Sequence, residues 1–205
     1  MRLLLCTHNE HKRRELARLL PGHDVQALPD DFALPPEDGE TFEENALGKA
    51  RAAAELAGNS GALALADDSG IEAAALGGAP GVRSARYAGE RASDEQNLAK
   101  LLAEAPEGSG LRYVCAIALV EPATGAERTF LGYCPGTLTH APRGERGFGY
   151  DPAFVPDEQP VSGGGRAGRG PLTMAELSDA EKDAVSHRGR AVQRLQDWLQ
   201  AAGHD

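Results

Sequence analysis

The sequence predicts an α/β protein: a mixed sheet flanked by helices. Strand and helix signals alternate early in the chain, an antiparallel pair follows, and no apolar run approaches the roughly 20 residues of a membrane span. Residues 2–6 (RLLLC) read as a buried strand, and residues 10–20 follow with Leu16, Leu19 and Leu20 at helical spacing. Residues 113–120 and 127–133 are strand-like, and Pro122 and Gly125 between them suggest a hairpin. At 205 residues, one domain (1–205) with a sizeable core is the expectation, since no shift in composition asks for two.

A net charge of -10 disfavours a surface for polyanionic nucleic acid while permitting a local basic pocket for a small anion. Cys6, Cys115 and Cys134 are odd in number and widely spaced, so neither a disulfide framework nor a zinc site is suggested. With no signal-peptide pattern and no spanning segment, a cytoplasmic protein without a membrane partner is expected.

The first strand runs into the first helix through Thr7, His8, Asn9, Glu10, His11 and Lys12. A helix N-terminus with free backbone N–H groups and a lysine offers a phosphate site. An ordinary helix start capped by Asn9 explains the same residues. Residues 24–28 can form a second strand, followed by an acidic, proline-rich loop over 29–39 that carries Glu37. Thr41 and Glu44 then form a capping box that opens a helix over 41–57, stopped by Gly58. Gly48 inside that helix suggests a close approach there, and Lys49 reads as solvent-facing in the absence of a partner.

Residues 63–66 (LALA) read as a strand buried on both faces that ends at Asp67, Asp68, Ser69 and Gly70. Neighbouring side chains in an extended chain point to opposite sides, so the two carboxylates are expected to have different partners. Such a pair suits a divalent cation and a proton-accepting base, and an Asp-Asp-Ser-Gly turn is the other reading. Gly77, Gly78, Pro80 and Gly81 form a loop with few side chains, and Ser93 with Gln96 caps a helix to about residue 105. In the 147–152 run, Phe148, Gly149, Tyr150 and Asp151 offer either a stacking surface for a planar base or a tight turn with buried aromatics. A Gly-rich loop covers about 159–171, with a Gly/Arg RNA-binding segment as its less favoured reading. Ser178 and Glu181 open a final helical region that carries Lys182, His187 and Arg188 and ends on Val192, Leu195, Trp198 and Leu199.

The order of these motifs resembles the inosine triphosphate pyrophosphatase family. Thr-x-Asn-x-x-Lys after a first strand, Thr-Phe-x-Glu-Asn-Ala-x-x-Lys-Ala, Ala-Asp-Asp-Ser-Gly, the Gly-Gly-Ala-Pro-Gly loop, Gly-Phe-Gly-Tyr-Asp-Pro and Ser-His-Arg-Gly occur in sequence from about residue 3 to 199. The resemblance implies a long twisted mixed sheet, two lobes with a nucleotide cleft, Mg²⁺ as cofactor and a homodimer. The implied activity is hydrolysis of non-standard purine nucleoside triphosphates (ITP, dITP, XTP) to the monophosphate and pyrophosphate. By the same resemblance Thr7 to Lys12 and Lys49 hold phosphates, Asp68 is the catalytic acid/base, Ser69 touches substrate, and Glu37 joins Asp68 at the metal. Phe148, Gly149, Tyr150, Asp151, Lys182, His187 and Arg188 then form the base pocket, with Arg188 expected to aim donors at the 6-keto oxygen. Three departures are visible: His8 stands where the family usually has Gly, Cys134 where an aromatic often precedes Pro-Gly, and the Gly-rich run resembles an insertion. A nucleotide sensor, or a pyrophosphatase for methylated or pyrimidine nucleotides, is the alternative.

Overall fold

The computed structural model describes residues 1–58, 60–160 and 170–203. Among them are six strands: β1 (Arg2–Leu5), β2 (Asp24–Ala27), β3 (Leu63–Ala73), β4 (Gly110–Glu121), β5 (Ala126–Leu138) and β6 (Phe154–Pro156). They form one sheet in the order β2-β1-β3-β4-β5-β6. β1 pairs in parallel with β2 and with β3, with Leu3 opposite Val25 and Leu63, while β5 pairs antiparallel with β6. The sheet is therefore mixed, as the sequence predicts. Five α-helices accompany it: α1 (Glu10–Leu19), α2 (Phe42–Ala57), α3 (Asp94–Glu104), α4 (Asp179–Val185) and α5 (His187–Ala201). None of them is long and apolar enough to cross a membrane.

Local chemistry sets the helix ends. Asn9 Oδ1 accepts from the amides of His11 and Lys12 at the start of α1, and reciprocal capping boxes join Thr41 to Glu44, Ser93 to Gln96 and Ser178 to Glu181. Each cap is worth about 1 kcal/mol because it satisfies otherwise orphaned amides. Gly58 closes α2 at φ +47°, a conformation costly for other residues.

Three expectations are corrected and one is refined. β3 does not end at Asp67 but runs to Ala73, because both carboxylates find charged partners and the chain has no cause to leave the ladder. The C-terminal region is helical as expected, in two helices separated by Ser186 in extended conformation at ψ 155°. Gly48 makes no close approach: a Cβ built there meets nothing within 4 Å. Lys49 is buried rather than solvent-facing, at 4% exposure.

The chain resolves into two compact units. The first comprises Met1–Ser69, Cys115–Gly132 and Arg188–Asp205, and its core gathers Leu3, Leu5, Leu16, Leu65 and Ile117 with Leu195 of α5. The second comprises Gly70–Val114 and Tyr133–His187, with a core around Ile71, Leu101, Tyr113, Leu138, Phe154 and Met174. Cys134 packs into this second core, while Cys6 and Cys115 lie buried in the first unit. Burial pushes the Cys6 thiol up to about 11 and that of Cys115 up to about 12, so both stay neutral and pack as small apolar groups. In the second unit, the loop after β3 is fastened by Ser84. Its Oγ accepts from the Ile71 amide at 2.8 Å and donates to the Gly81 carbonyl at 2.6 Å. Most of the Gly-rich run expected over 159–171 lies outside the described residues. At its flanks the Gln159 side chain bonds both backbone groups of Leu172, at 2.9 and 3.2 Å.

Candidate active site

Strand alternation in β3 divides the two carboxylates between two charge networks of the first unit. Asp67, 1% exposed, faces Lys12 Nζ at 3.3 Å and accepts from Arg188 Nη2 at 3.0 Å. The same Nη2 donates to Ser69 Oγ at 2.9 Å, while Nη1 is bonded to Glu15 of α1. Lys12 and Glu15 are three residues apart in α1, a spacing that puts both on one helix face. Burial alone would raise the Asp67 pKa, but the charges of Lys12, Arg188 and Lys49 outweigh it and hold the carboxyl below the usual range. Asp67 is a permanent anion fixed between cations.

Asp68 has a different environment. Its Oδ1 lies 3.2 Å from Lys49 Nζ and its Oδ2 accepts from Asn45 Nδ2 at 3.1 Å. Asn45 and Lys49 sit four residues apart on one face of α2. Lys49 Nζ also reaches Glu37 Oε1 at 2.6 Å, so one ammonium bridges a strand carboxylate and a loop carboxylate. Asn45 Oδ1 in turn accepts from the Gly39 amide at 2.8 Å, which ties the acidic loop to the same helix face. Burial raises the Asp68 pKa, and the lowering effects of Lys49, Lys12 and the Asn45 hydrogen bond do not cancel it. Burial also opposes the Lys49 charge, yet Asp68, Asp67 and Glu37 raise its pKa above the ordinary value. The result is a buried carboxylate of enhanced basicity beside a firmly charged lysine, an arrangement suited to taking a proton near an anion.

The loop before α1 is ordered by its own side chains. Thr7 Oγ1 accepts from the Asn9 amide at 3.1 Å, and the Asn9 cap engages the amides of His11 and Lys12. The ammonium of Lys12, rather than its amide, is thus the cationic group this loop presents. His8 is exposed and its Nε2 lies 2.8 Å from the Phe32 carbonyl. Glu10 pairs with Arg13, and His11 Nδ1 accepts from Arg14 at 3.0 Å.

The second unit assembles a separate cluster. Asp151 Oδ2 accepts from Lys182 Nζ at 2.7 Å and from the Phe148 amide at 3.0 Å, while Oδ1 accepts from the Tyr113 hydroxyl at 3.0 Å. Lys182 Nζ stands 5.2 Å from the half-buried Phe148 ring. The His187 ring stacks on Tyr113 with centroids 4.6 Å apart and planes 7° from parallel. Gly147 has φ +73°, and a Cβ on it would fall 2.0 Å from Asp151 Oδ2, so only glycine allows the carboxylate its place. Tyr150 is buried, its hydroxyl donating to the Ser84 carbonyl at 2.8 Å, and the Gly149 amide donates to Asp94 at 2.8 Å.

Arg188 is engaged within the first unit. It is 1% exposed and sits in the first unit with Glu15, Asp67 and Ser69. Three residues given no site role in the sequence reading now stand beside the expected ones: Glu15, Asn45 and Tyr113. The first two carry a signal, since Glu15 repeats the Lys12 face and Asn45 that of Lys49. Tyr113 carries none in its apolar strand.

Comparison with known proteins agrees over nearly the whole chain. Residues 3–198 match the model of the Ham1 family. A dITP/XTP pyrophosphatase of Geobacter sulfurreducens is 47% identical over 206 residues, covering 97% of this chain and 96% of that protein. The solved structure of the Staphylococcus aureus Ham1 protein superposes with a TM-score of 0.78 at 35% identity, covering 98% of this chain and 100% of the other. A nucleoside-triphosphatase / dITP/XTP pyrophosphatase of Mycobacterium abscessus gives a TM-score of 0.68 at 42% identity, covering 95% and 98%.

Proposed function

The chain belongs to the Ham1 family, and from that premise we propose how its own residues act. It is a nucleoside triphosphate pyrophosphatase that hydrolyses non-standard purine nucleotides (ITP, dITP, XTP) to the monophosphate and pyrophosphate. The observation that carries the assignment is the pairing of a basic, buried Asp68 with Lys49, itself shared with Glu37.

In this reading Lys12 and Lys49 offset the charge of the triphosphate, and Asp68 takes a proton from the water that attacks the α-phosphorus. Asn45 donates to Asp68 Oδ2 while Lys49 meets Oδ1, so the carboxylate is held in a fixed orientation from both oxygens. Asp67, held between Lys12 and Arg188, fixes the Lys12 ammonium rather than reacting. Two carboxylate oxygens, Glu37 Oε1 and Asp68 Oδ1, already converge on one cationic point, and hard oxygen donors of this kind suit Mg²⁺. Glu37 and Asp68 would hold it, and when bound it would supply charge neutralisation to the phosphates.

The base is assigned to a second group of residues. Phe148 offers a ring face, and Lys182 and His187 offer donors to the 6-keto oxygen of hypoxanthine or xanthine. Adenine has an amino donor there, and a site left with unpaired polar groups rejects it strongly. Guanine keeps the keto group, so its 2-amino group must be what the Phe148 surroundings refuse. Both η nitrogens of Arg188 are bonded to Glu15, Asp67 and Ser69, which supports leaving it out of base reading. A cytoplasmic homodimer acting on free nucleotides completes the proposal, and the net charge of -10 supports a free nucleotide over nucleic acid. Light scattering at micromolar concentration checks the dimer, and a monomer mass contradicts it.

A substrate panel with Mg²⁺ tests the reading. ITP, dITP and XTP are expected to yield monophosphate and pyrophosphate, with ATP and GTP turned over far more slowly. Release of orthophosphate and a diphosphate would contradict it.

A further inference from the structure

We propose that Tyr113 is a positioning residue for base selection, holding Lys182 and His187 in register through its hydroxyl and its ring. The inference rests on the assignment of those two residues to the base and adds a residue that acts through them.

Tyr113 lies in β4 of the second unit, 6% exposed. Its hydroxyl donates to Asp151 Oδ1 at 3.0 Å, and the other oxygen of that carboxylate takes Lys182 Nζ at 2.7 Å and the Phe148 amide at 3.0 Å. Its ring stacks on His187 at 4.6 Å and also meets the tilted Phe154 ring at 4.5 Å. One side chain thereby orients a lysine through a carboxylate and an imidazole through a stack. A phenylalanine would fill the same volume in this apolar core. The hydroxyl is therefore informative, since a buried Tyr O–H needs a partner and here the partner is the Lys182 counter-ion. Burial, then the Asp151 charge, raises the Tyr113 pKa well above its ordinary value, so the phenol remains a donor. Without that donor Asp151 is held from one side only, and the Lys182 ammonium loses its fixed direction.

The test compares wild type, Tyr113→Phe and Tyr113→Leu in steady-state hydrolysis of ITP and GTP, with thermal unfolding in parallel. Tyr113→Phe is expected to raise KM for ITP about five- to tenfold, the scale of one ordinary hydrogen bond, with kcat within about twofold. The ITP-over-GTP ratio of kcat/KM falls with it. Tyr113→Leu, which also loses the stack, is expected to lose more. If Tyr113→Phe keeps KM and selectivity within about twofold, with or without a lower melting temperature, Tyr113 only packs and the inference is overturned. Absence of ITP turnover in the wild type would overturn the functional assignment and this inference together. Turnover in the wild type with an unchanged Tyr113→Phe overturns this one alone.

Discussion

The Lys49 ammonium stands 3.2 Å from Asp68 Oδ1 inside the first unit and also reaches Glu37 Oε1 at 2.6 Å. A buried charge pair of this kind resists the removal of one member more than the removal of both, because the survivor is left uncompensated. Lys49→Met is expected to cost about 3 kcal/mol in urea unfolding and to abolish turnover. Mg²⁺ is expected to raise the melting temperature of this variant more than that of the wild type, since it restores a cation to Glu37 and Asp68. Equal shifts would remove those two residues from metal binding.

Asn45 joins Asp68 to the acidic loop through a single buried amide. Asn45→Ala is expected to lower kcat by about ten- to a hundredfold, with a smaller change in KM, because it frees Asp68 Oδ2 without removing a phosphate contact. A change confined to KM would place Asn45 in substrate binding instead.

Two glycines separate backbone strain from open space. Gly147→Ala drives a Cβ into Asp151 at a positive φ and is expected to raise KM for ITP by more than tenfold, as read by steady-state kinetics. Gly48→Ala adds a methyl where nothing lies within 4 Å, inside a helix, and is expected to stabilise the protein by about 0.5–1 kcal/mol. A destabilised Gly48→Ala protein would mean that the helix needs that space for another purpose.

Arg188 compensates Glu15 and Asp67 at 1% exposure. Arg188→Ala is expected to destabilise the fold by about 3–5 kcal/mol and to lower ITP and GTP turnover by the same factor. A loss confined to ITP and XTP would return Arg188 to base reading.

What the sequence makes legible is local. The caps at Asn9, Thr41, Ser93 and Ser178 depend on residues three apart, and each forms as its spacing predicts. The opposite directions of Asp67 and Asp68 follow from strand geometry in the same way. The length of β3 is not legible, because the residues that make two buried carboxylates tolerable come from α1, α2 and, 121 positions away, from Arg188. Lys49 misleads for the same reason: its sequence neighbours do not reveal the strand acid that buries it. β6 is three residues long and ends in Pro156, too short for any period to register. The Asp151 cluster is legible in its members and not in its connections, since Tyr113 sits among apolar strand residues that read as core.

The central claim is that Asp68 activates water for attack at the α-phosphorus, and isotope placement tests it most directly. ITP hydrolysed in ¹⁸O-labelled water by the wild type is expected to carry the label in the monophosphate, with unlabelled pyrophosphate. Asp68→Asn, folded by circular dichroism, is expected to turn over about 10²–10⁴-fold more slowly. Label in pyrophosphate or orthophosphate, or near-normal rates in the folded Asp68→Asn protein, would contradict the account.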